Sequence, residues 1–399
     1  MTNERWRDLA MAAIVDFATP FYLFAWEPVL EAIEQLTVLQ AGLSVHHWYS
    51  FKTCPVRPMI RNWNSLGAGI EVVSEYELLA CLREGFPPER ILVNGVGKHT
   101  WLHRHAIPGL KVNFDSSREV VELSRLGQEN EWVTGIRSLV PNERDPDEPA
   151  FPTQFGLSES EFFDAVNYSR SVGMEPQIVS FHIGSNIPDA SFYEQSIRAV
   201  ALRCNQVGLA PAVLDIGGGL PVAGVRPHGQ THDRSFNLIA LNHVLAEARE
   251  LLPSVREIWC ENGRFVTASS AVLVVQVLEI KEREGTRFLV CDGGRTNNAI
   301  VSDWESHDFL VLPDRHGVLV PSTVCGPTCM AFDRLIRAQL PRDVVVGDYF
   351  VWMNAGAYHI PWETRFSHGL AQVLWVGENG HITVARQRES FDRWWAVWS

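Results

Sequence analysis

The sequence predicts an α/β chain: a (β/α)8 barrel of the TIM type plus a C-terminal all-β domain that an N-terminal strand completes. Three observations carry this. Eight short, apolar, strand-like segments recur over about 240 residues, most of them separated by a helix-period stretch, which is the rhythm of such a barrel. The glycine-rich triplet Gly217-Gly218-Gly219 follows the seventh of these segments, whereas a doubly wound open sheet would carry a G-x-G-x-x-G turn after an early strand. After residue 266 the helical beat stops, and strands joined by turns take over. The barrel is therefore expected over residues 27–265, with residues 1–26 and 266–399 forming the β domain.

Each element follows from local pattern. "PVLEAIEQLTVLQA" has helical spacing and leads into the first barrel strand, "HHWYSF". "GIEVVS" is followed by the helix "YELLACLREGF", which a glycine stops. "RILVNG", "LKVNFD", "EWVTGIRSLV", "PQIVSFHIG", "PAVLDIGGG" and "EIWCENGRF" complete the eight, and their near-continuous apolar character suits parallel strands covered on both faces. "PNERDPDEPAFPTQFG" reads as a polar barrel loop. Beyond it, "AVLVVQVLEIKEREGTRFLVCDGG" reads as a hairpin turning near "GTR". "GVLVPSTVCGP", "DVVVGDYFVWM" and "AQVLWVGENGHITVARQ" read as further strands, with one short helix expected near "AFDRLIRAQ". The early strand "TPFYLFAW" has no place in the barrel and is assigned to the β domain. The tail "SFDRWWAVWS" either covers that domain or lies in an interface.

Composition narrows the function. With 46% apolar and 20% charged residues the 399-residue chain is that of an ordinary globular protein. A net charge of -13 without a basic run argues against a nucleic-acid partner. The 7 scattered cysteines contain no C-x-x-C pair, so no zinc site and no disulfide framework is expected. Asp8 and Asp16 interrupt the apolar N-terminal stretch, which argues against a signal peptide, and no uncharged run is long enough for a membrane span. A cytoplasmic protein is expected, with no membrane partner.

Catalytic groups of such barrels lie at the C-terminal strand ends. Those ends carry Lys52, Glu71, Arg137, His182, Gly217 to Gly219, Glu261, Gly263 and Arg264. Singly, each has an ordinary explanation: a strand-end lysine usually snorkels, a glycine triplet is usually a turn, a strand histidine is usually structural. Together they suggest a phosphate held by glycine N–H groups and an arginine, opposite a lysine able to form a Schiff base. That points to pyridoxal 5'-phosphate, with Glu261 pairing the ring nitrogen and His182 lying against the ring. An apolar setting is expected to lower the pKa of Lys52.

The ordered set F-K at Lys52, "GIEVVSEYEL", "GVGK", "SFHIGSN", "LDIGGGLP", "ENGRF", "CGPTCMAFD" and "GAY" resembles the fold type III pyridoxal-phosphate-dependent decarboxylases, from about residue 20 to 370. That family includes ornithine, arginine and diaminopimelate decarboxylases. The resemblance implies that Lys52 carries the cofactor as a Schiff base and that His182 stacks on its ring. Ser185, Gly218, Gly219, Gly263, Arg264 and Tyr358 would surround the phosphate. Glu261 would pair with the ring nitrogen, with Glu71, Glu77 and Arg137 in support. It also implies a homodimer with shared sites, in which Cys329 reaches into the partner's site and protonates Cα after CO2 leaves. Related racemases carry an arginine at the ring nitrogen, so Glu261 and Cys329 favour decarboxylation over racemisation. Retention of Lys52, Glu261, His182, Arg264 and Cys329 together argues against a lapsed homologue that only binds partners.

The chain departs from the family pattern in informative places. Lys52 is followed by Thr53-Cys54, and the usual E-P-G-R is Glu261-Asn262-Gly263-Arg264. The acidic residue expected after the cysteine is Met330, and Ile300 and Trp304 stand near the positions of an R-P-x-x-Y element. Candidate substrate residues are Met330, Asp303, Trp304 and Asp333. The expected substrate is an amino acid with a neutral, acylated or bulky far end, such as a conjugate made in siderophore or antibiotic biosynthesis, and not free ornithine or diaminopimelate. Asp303, Glu305 or Asp333 acting as a displaced carboxylate would keep a basic amino acid open.

Overall fold

A computed structural model describes residues 1–140, 153–228 and 236–399, with the backbone alone for residues 302 and 303. Most of the polar loop expected at 141–156 lies outside these residues. Strand β1 (Phe21–Ala25) comes first, followed by β2 (Ser44–Ser50), β3 (Gly69–Val72), β4 (Ile91–Val93), β5 (Lys111–Phe114), β6 (Val133–Arg137), β7 (Ile178–Ser180) and β8 (Val213–Asp215). Next are the short β9 (Val225–Pro227) and then β10 (Glu257–Asn262). Strands β2 to β8 and β10 close into a parallel barrel in which β10 pairs with both β2 and β8. All eight expected barrel segments are therefore strands, in the expected order.

The register sorts the barrel residues by face. Trp48 pairs with Gly69, Ser50 with Glu71, Asn113 with Gly135, Arg137 with Ser180, and Ser180 with Asp215. Trp48, Leu92, Ile178, Val213 and Trp259 share this parity and form one buried cluster, with the Trp48 and Trp259 rings 4.6 Å apart. Two residues further along several of the same strands stand Ser50, Asn94, Asp215 and Glu261. Because side chains alternate at every residue, the apolar plug and the polar layer above it are set by the same period of two.

The remaining strands are β11 (Ala271–Arg283), β12 (Thr286–Cys291), β13 (Glu305–His307), β14 (Phe309–Leu312), β15 (Leu319–Cys325), β16 (Arg334–Pro341), β17 (Tyr349–Trp352), β18 (Gln372–Val376) and β19 (Ile382–Arg386). All of these except β13 join β1 in a nine-stranded sheet with the path β16-β15-β12-β11-β1-β18-β19, while β17 pairs with β11 and β14. The early strand β1 runs antiparallel to β11 and parallel to β18, so it completes this sheet as expected. The hairpin of β11 and β12 turns at Glu284 and Gly285, both with positive φ.

Three features differ from the expectation. The segment near "AFDRLIRAQ" is strand β16, not a helix: Leu335 and Leu340 are buried, and the run pairs antiparallel with β15 from Leu319 to Cys325. Its Leu, Arg, Ala and Gln are good helix formers, and tertiary pairing overrides that preference. Residues Asn3–Asp16 form a helix capped by Thr2, and it buries Trp6, Ala10 and Ala13 against Phe21, Leu23, Val274 and Val351 of the sheet. Strand β9 pairs antiparallel with β13, which ties the loop after β8 to the residues following Trp304. Among the described residues no helix is long and apolar enough to cross a membrane.

Candidate active site

Lys52 lies in a short 3-10 turn, Phe51–Thr53, immediately after β2. Its ammonium donates to both oxygens of Glu71, at 2.8 and 2.9 Å. Glu71 is 1% exposed on β3, while 37% of the Lys52 side chain is accessible. Burial pulls the Lys52 pKa down, but the carboxylates of Glu71 and Glu261 outweigh it and hold the ammonium above its ordinary range. The apolar strand thus does not lower this pKa as expected, because acids on the two strands flanking β2 act on the amine.

Glu261, on β10, accepts from the Asn94 amide at 2.6 Å. Its pKa is raised well above the ordinary value, first by burial and then by Asp215 and Glu71. Glu77 accepts from the Val73 N–H at 2.7 Å, and burial pushes it up to about 7. Neither Asp215 nor Asn94 was singled out from the sequence. The available signal was a polar residue inside an otherwise apolar strand segment.

The glycine triplet packs tightly against its surroundings. A Cβ on Gly218 would lie 2.4 Å from the Glu261 carbonyl, and one on Gly219 would lie 2.6 Å from the Gly184 carbonyl. The Gly218 N–H donates to His182 Nδ1 at 3.2 Å, which fixes the imidazole just beyond β7. Gly263 meets the lysine turn, where an added Cβ would lie 2.3 Å from Thr53 Cγ2. Thr53 also accepts the Tyr358 N–H at its carbonyl, at 2.8 Å, and the Cys54 carbonyl accepts the Tyr49 hydroxyl at 2.7 Å. The two unusual residues after Lys52 are thus buried supports of its turn.

A cleft of about 700 Å³ opens beside this layer, lined by His182, Ser185, Arg264, Tyr358, Arg137 and Glu305 among others. Arg137 pairs with Asp115 at 3.0 Å and lies 4.9 Å from the centre of the Phe155 ring. Arg264 pairs with Glu305 at 2.6 Å and lies 4.9 Å from the centre of the Tyr358 ring. Glu305 is held in turn by His307 Nε2 at 3.0 Å. Ile300, Trp304 and Trp362 line the same cleft, with the two indoles edge to face at 4.5 Å.

The structure does not bring every candidate here. Cys329 is exposed on the loop between β15 and β16, and neither it nor Met330 lines this cleft of its own chain. Asp333 is buried under that loop. Its Oδ1 accepts from the Arg295 N–H at 2.7 Å, and its Oδ2 accepts from the Thr328 N–H and hydroxyl at 3.1 and 2.6 Å. It is therefore a brace for the loop and not a carboxylate open to a substrate. The Asp303 side chain lies outside the described residues.

Residues 31–268 match the model of the pyridoxal-dependent decarboxylase family, pyridoxal binding domain. The diaminopimelate decarboxylase of Campylobacter jejuni is 27% identical over 395 residues, covering 94% of this chain and 95% of that one. That of Aquifex aeolicus is 25% identical, covering 94% and 90%. Among solved structures, diaminopimelate decarboxylase from Helicobacter pylori complexed with L-lysine superposes with a TM-score of 0.83 at 23% identity, covering 97% and 98%. The Paramecium bursaria Chlorella virus arginine decarboxylase gives 0.77 at 23%, covering 94% and 100%. These structural likenesses show a shared fold.

Proposed function

This chain belongs to the family of fold type III pyridoxal-phosphate-dependent decarboxylases, and from that premise we propose that it removes the α-carboxylate of an amino acid or amino-acid conjugate with a neutral or bulky far end. The observation that carries the substrate reading is the outer cleft wall. Ile300, Trp304 and Trp362 present apolar and aromatic surface, and the nearby charges of Arg137, Arg264 and Glu305 are already matched by partners in the chain. A free distal ammonium or carboxylate would have to break one of those pairs. The curated relatives are named diaminopimelate decarboxylases, so free diaminopimelate is the substrate against which the reading is tested.

The residues fit pyridoxal 5'-phosphate. Glycines 218, 219 and 263 leave no room for a Cβ, a primary amine sits at Lys52, and a half-buried acid sits at Glu261. Lys52 would hold the cofactor, Glu261 would meet its ring nitrogen, and His182, with one nitrogen engaged by Gly218, would lie against the ring. Ser185, Gly218, Gly219, Gly263, Arg264 and Tyr358 would hold the phosphate. When bound, the group supplies an electron sink for the pair left as the Cα–carboxylate bond breaks. Glu71 keeps the lysine amine charged and positioned, and the aromatic wall excludes water from the substrate's far end.

Cys329 lies outside the cleft of its own chain, and we assign it to the site of a second copy, where it would return the proton to Cα. The active unit is then a homodimer with shared sites. CO2 release measured over a panel of free and acylated amino acids tests the proposal. Preference for acylated or aryl-bearing substrates is expected, and brisk turnover of free ornithine or diaminopimelate would overturn the substrate reading. Deuterium entering Cα without CO2 release would overturn decarboxylation itself.

A further inference from the structure

Glu305 and His307 are alternate residues of β13, so both side chains project from one face of the strand. Glu305 Oε1 takes the Arg264 guanidinium at 2.6 Å, and its Oε2 meets His307 Nε2 at 3.0 Å. His307 Nδ1 lies 3.0 Å from the Met353 carbonyl, just beyond β17. The histidine side chain is 1% exposed, and these are its two hydrogen bonds among the described residues.

Both partners are acceptors. A neutral imidazole has one N–H and would turn a lone pair toward one of the two oxygens, whereas the doubly protonated ring donates to both. Glu305 is ionised to receive its share. Burial works against that charge, but the His307 hydrogen bond and the Arg264 charge outweigh it and hold the carboxyl below its ordinary range. We propose that His307 is a positioning residue: as a buried imidazolium it fixes Glu305 from behind, and Glu305 in turn sets how Arg264 enters the cleft. The inference rests on the proposed function in that Arg264 is read there as a phosphate ligand. With the imidazolium the three side chains carry one net positive charge. Without it Arg264 and Glu305 cancel, and the cluster offers an anion no net charge.

The neighbours fit one charged ring and not two. His359, in the helical turn His359–Trp362, has its ring 5.3 Å from that of His307. Burial first, and then the His307 charge, push it down to about 3, so it stays neutral. Its Nδ1 meets the Ala357 carbonyl at 3.0 Å, and its other nitrogen meets the Asn298 amide at 2.8 Å. On β9, Arg226 stands opposite Ser306 and is paired with Asp308, the residue after His307. From the loop after β7, Asn186 reaches Glu305 Oε1 at 3.4 Å. Of these groups Glu305 is the acid that touches the imidazole, and Arg264 and His359 oppose its charge.

Two variants separate the donors of the ring, because a glutamine amide nitrogen stands near the place of Nε2 and an asparagine amide nitrogen near that of Nδ1. The cofactor-free proteins are titrated with pyridoxal 5'-phosphate from mildly acid to mildly alkaline pH, with thermal unfolding as the check on folding. His307→Asn, which loses the donor to Glu305, should weaken binding by about tenfold, as loss of one hydrogen bond to a charged group would do. His307→Gln keeps that donor and loses the charge. Wild type should bind about fivefold more tightly than His307→Gln at neutral pH, and the advantage should shrink as pH rises and the ring loses its proton. The ionisations of the phosphate and of Lys52 are common to both proteins and leave this ratio unchanged. A ratio near one, or one that pH does not move, overturns the proposal.

Nitrogen-15 shifts of the imidazoles in histidine-labelled protein, assigned with the same variants, should report a proton on each His307 nitrogen at neutral pH. One bare nitrogen overturns the imidazolium. Arg264→Gln separates this inference from the reading beneath it. If Arg264→Gln weakens binding and His307→Asn does not, the role of His307 fails and the proposed function stands. If Arg264→Gln leaves the affinity intact, both fall.

Discussion

Arg264 and Glu305 meet at 2.6 Å with side chains only 11% and 4% exposed, and His307 closes on the other carboxylate oxygen at 3.0 Å. The arginine expected to supply free charge to a phosphate is thus already half of a buried ion pair. Removing one partner of such a pair strands the other. Arg264→Ala should lower stability by about 3–5 kcal/mol, read from denaturant unfolding of the cofactor-free protein. The double change Arg264→Met with Glu305→Leu should recover much of that loss but not the affinity for pyridoxal phosphate, measured by absorbance titration. Equal recovery of both would show that Arg264 is structural only.

The Lys52 ammonium has a second dependence, on Glu71. Its pKa is raised in the folded chain, so the stability it contributes is fully present below the ordinary lysine pKa and is lost as pH rises through the folded value. Glu71→Gln removes the principal opposing charge and leaves burial, which favours the neutral amine. The variant should attach pyridoxal phosphate with a rate profile displaced to lower pH, followed in the visible spectrum. It should also lose stability near neutral pH relative to the wild type. An unchanged profile would mean that Glu71 does not govern the amine.

The barrel and most of the sheet were legible because parallel strands covered on both faces must be apolar and short, and this beat survives without any knowledge of contacts. Residues at strand ends were legible for the same reason, since Lys52, His182 and Glu261 interrupt or terminate apolar runs. Asp215 and Asn94 were harder to see. Their inward direction depends on register, which follows from pairings such as Ser180 with Asp215 and Leu92 with Lys111 that the sequence does not state. The state of the Lys52 amine follows similar grounds: Glu71 is 19 residues away in sequence, and only the pairing of β3 with β2 sets it against the amine. Strand β16 was misread because its helix-forming residues take their conformation from β15.

The aromatic wall yields a specificity prediction. Trp304 and Trp362 are 48% and 49% exposed, yet their rings meet edge to face at 4.5 Å in the cleft lining. Trp304→Ala should reduce kcat/KM for the preferred bulky substrate by about tenfold, mainly through KM, as loss of an aromatic contact of 1–2 kcal/mol would do. Trp304→Asp should gain measurable turnover of free ornithine or lysine. A uniform fall in kcat for every substrate would instead place Trp304 in support of the chemistry.

Thr53 and Gly263 make the sharpest steric prediction. An alanine Cβ at 263 would lie 2.3 Å from Thr53 Cγ2, with the Ser50 Cβ only 3.3 Å away. Thr53 has little room to yield, because its hydroxyl donates to the Ser50 carbonyl at 2.7 Å and its own carbonyl accepts from Tyr358 at 2.8 Å. Gly263→Ala should therefore cost about 1–3 kcal/mol and displace the turn that carries Lys52, weakening cofactor retention on dialysis. Thr53→Ser removes the offending methyl while keeping the hydroxyl. The pair Gly263→Ala with Thr53→Ser should regain most of the stability and the retention, whereas Thr53→Ser alone should change little. Failure of the second change to rescue the first would mean that Gly263 is required for backbone approach to the cofactor and not for its fit against Thr53.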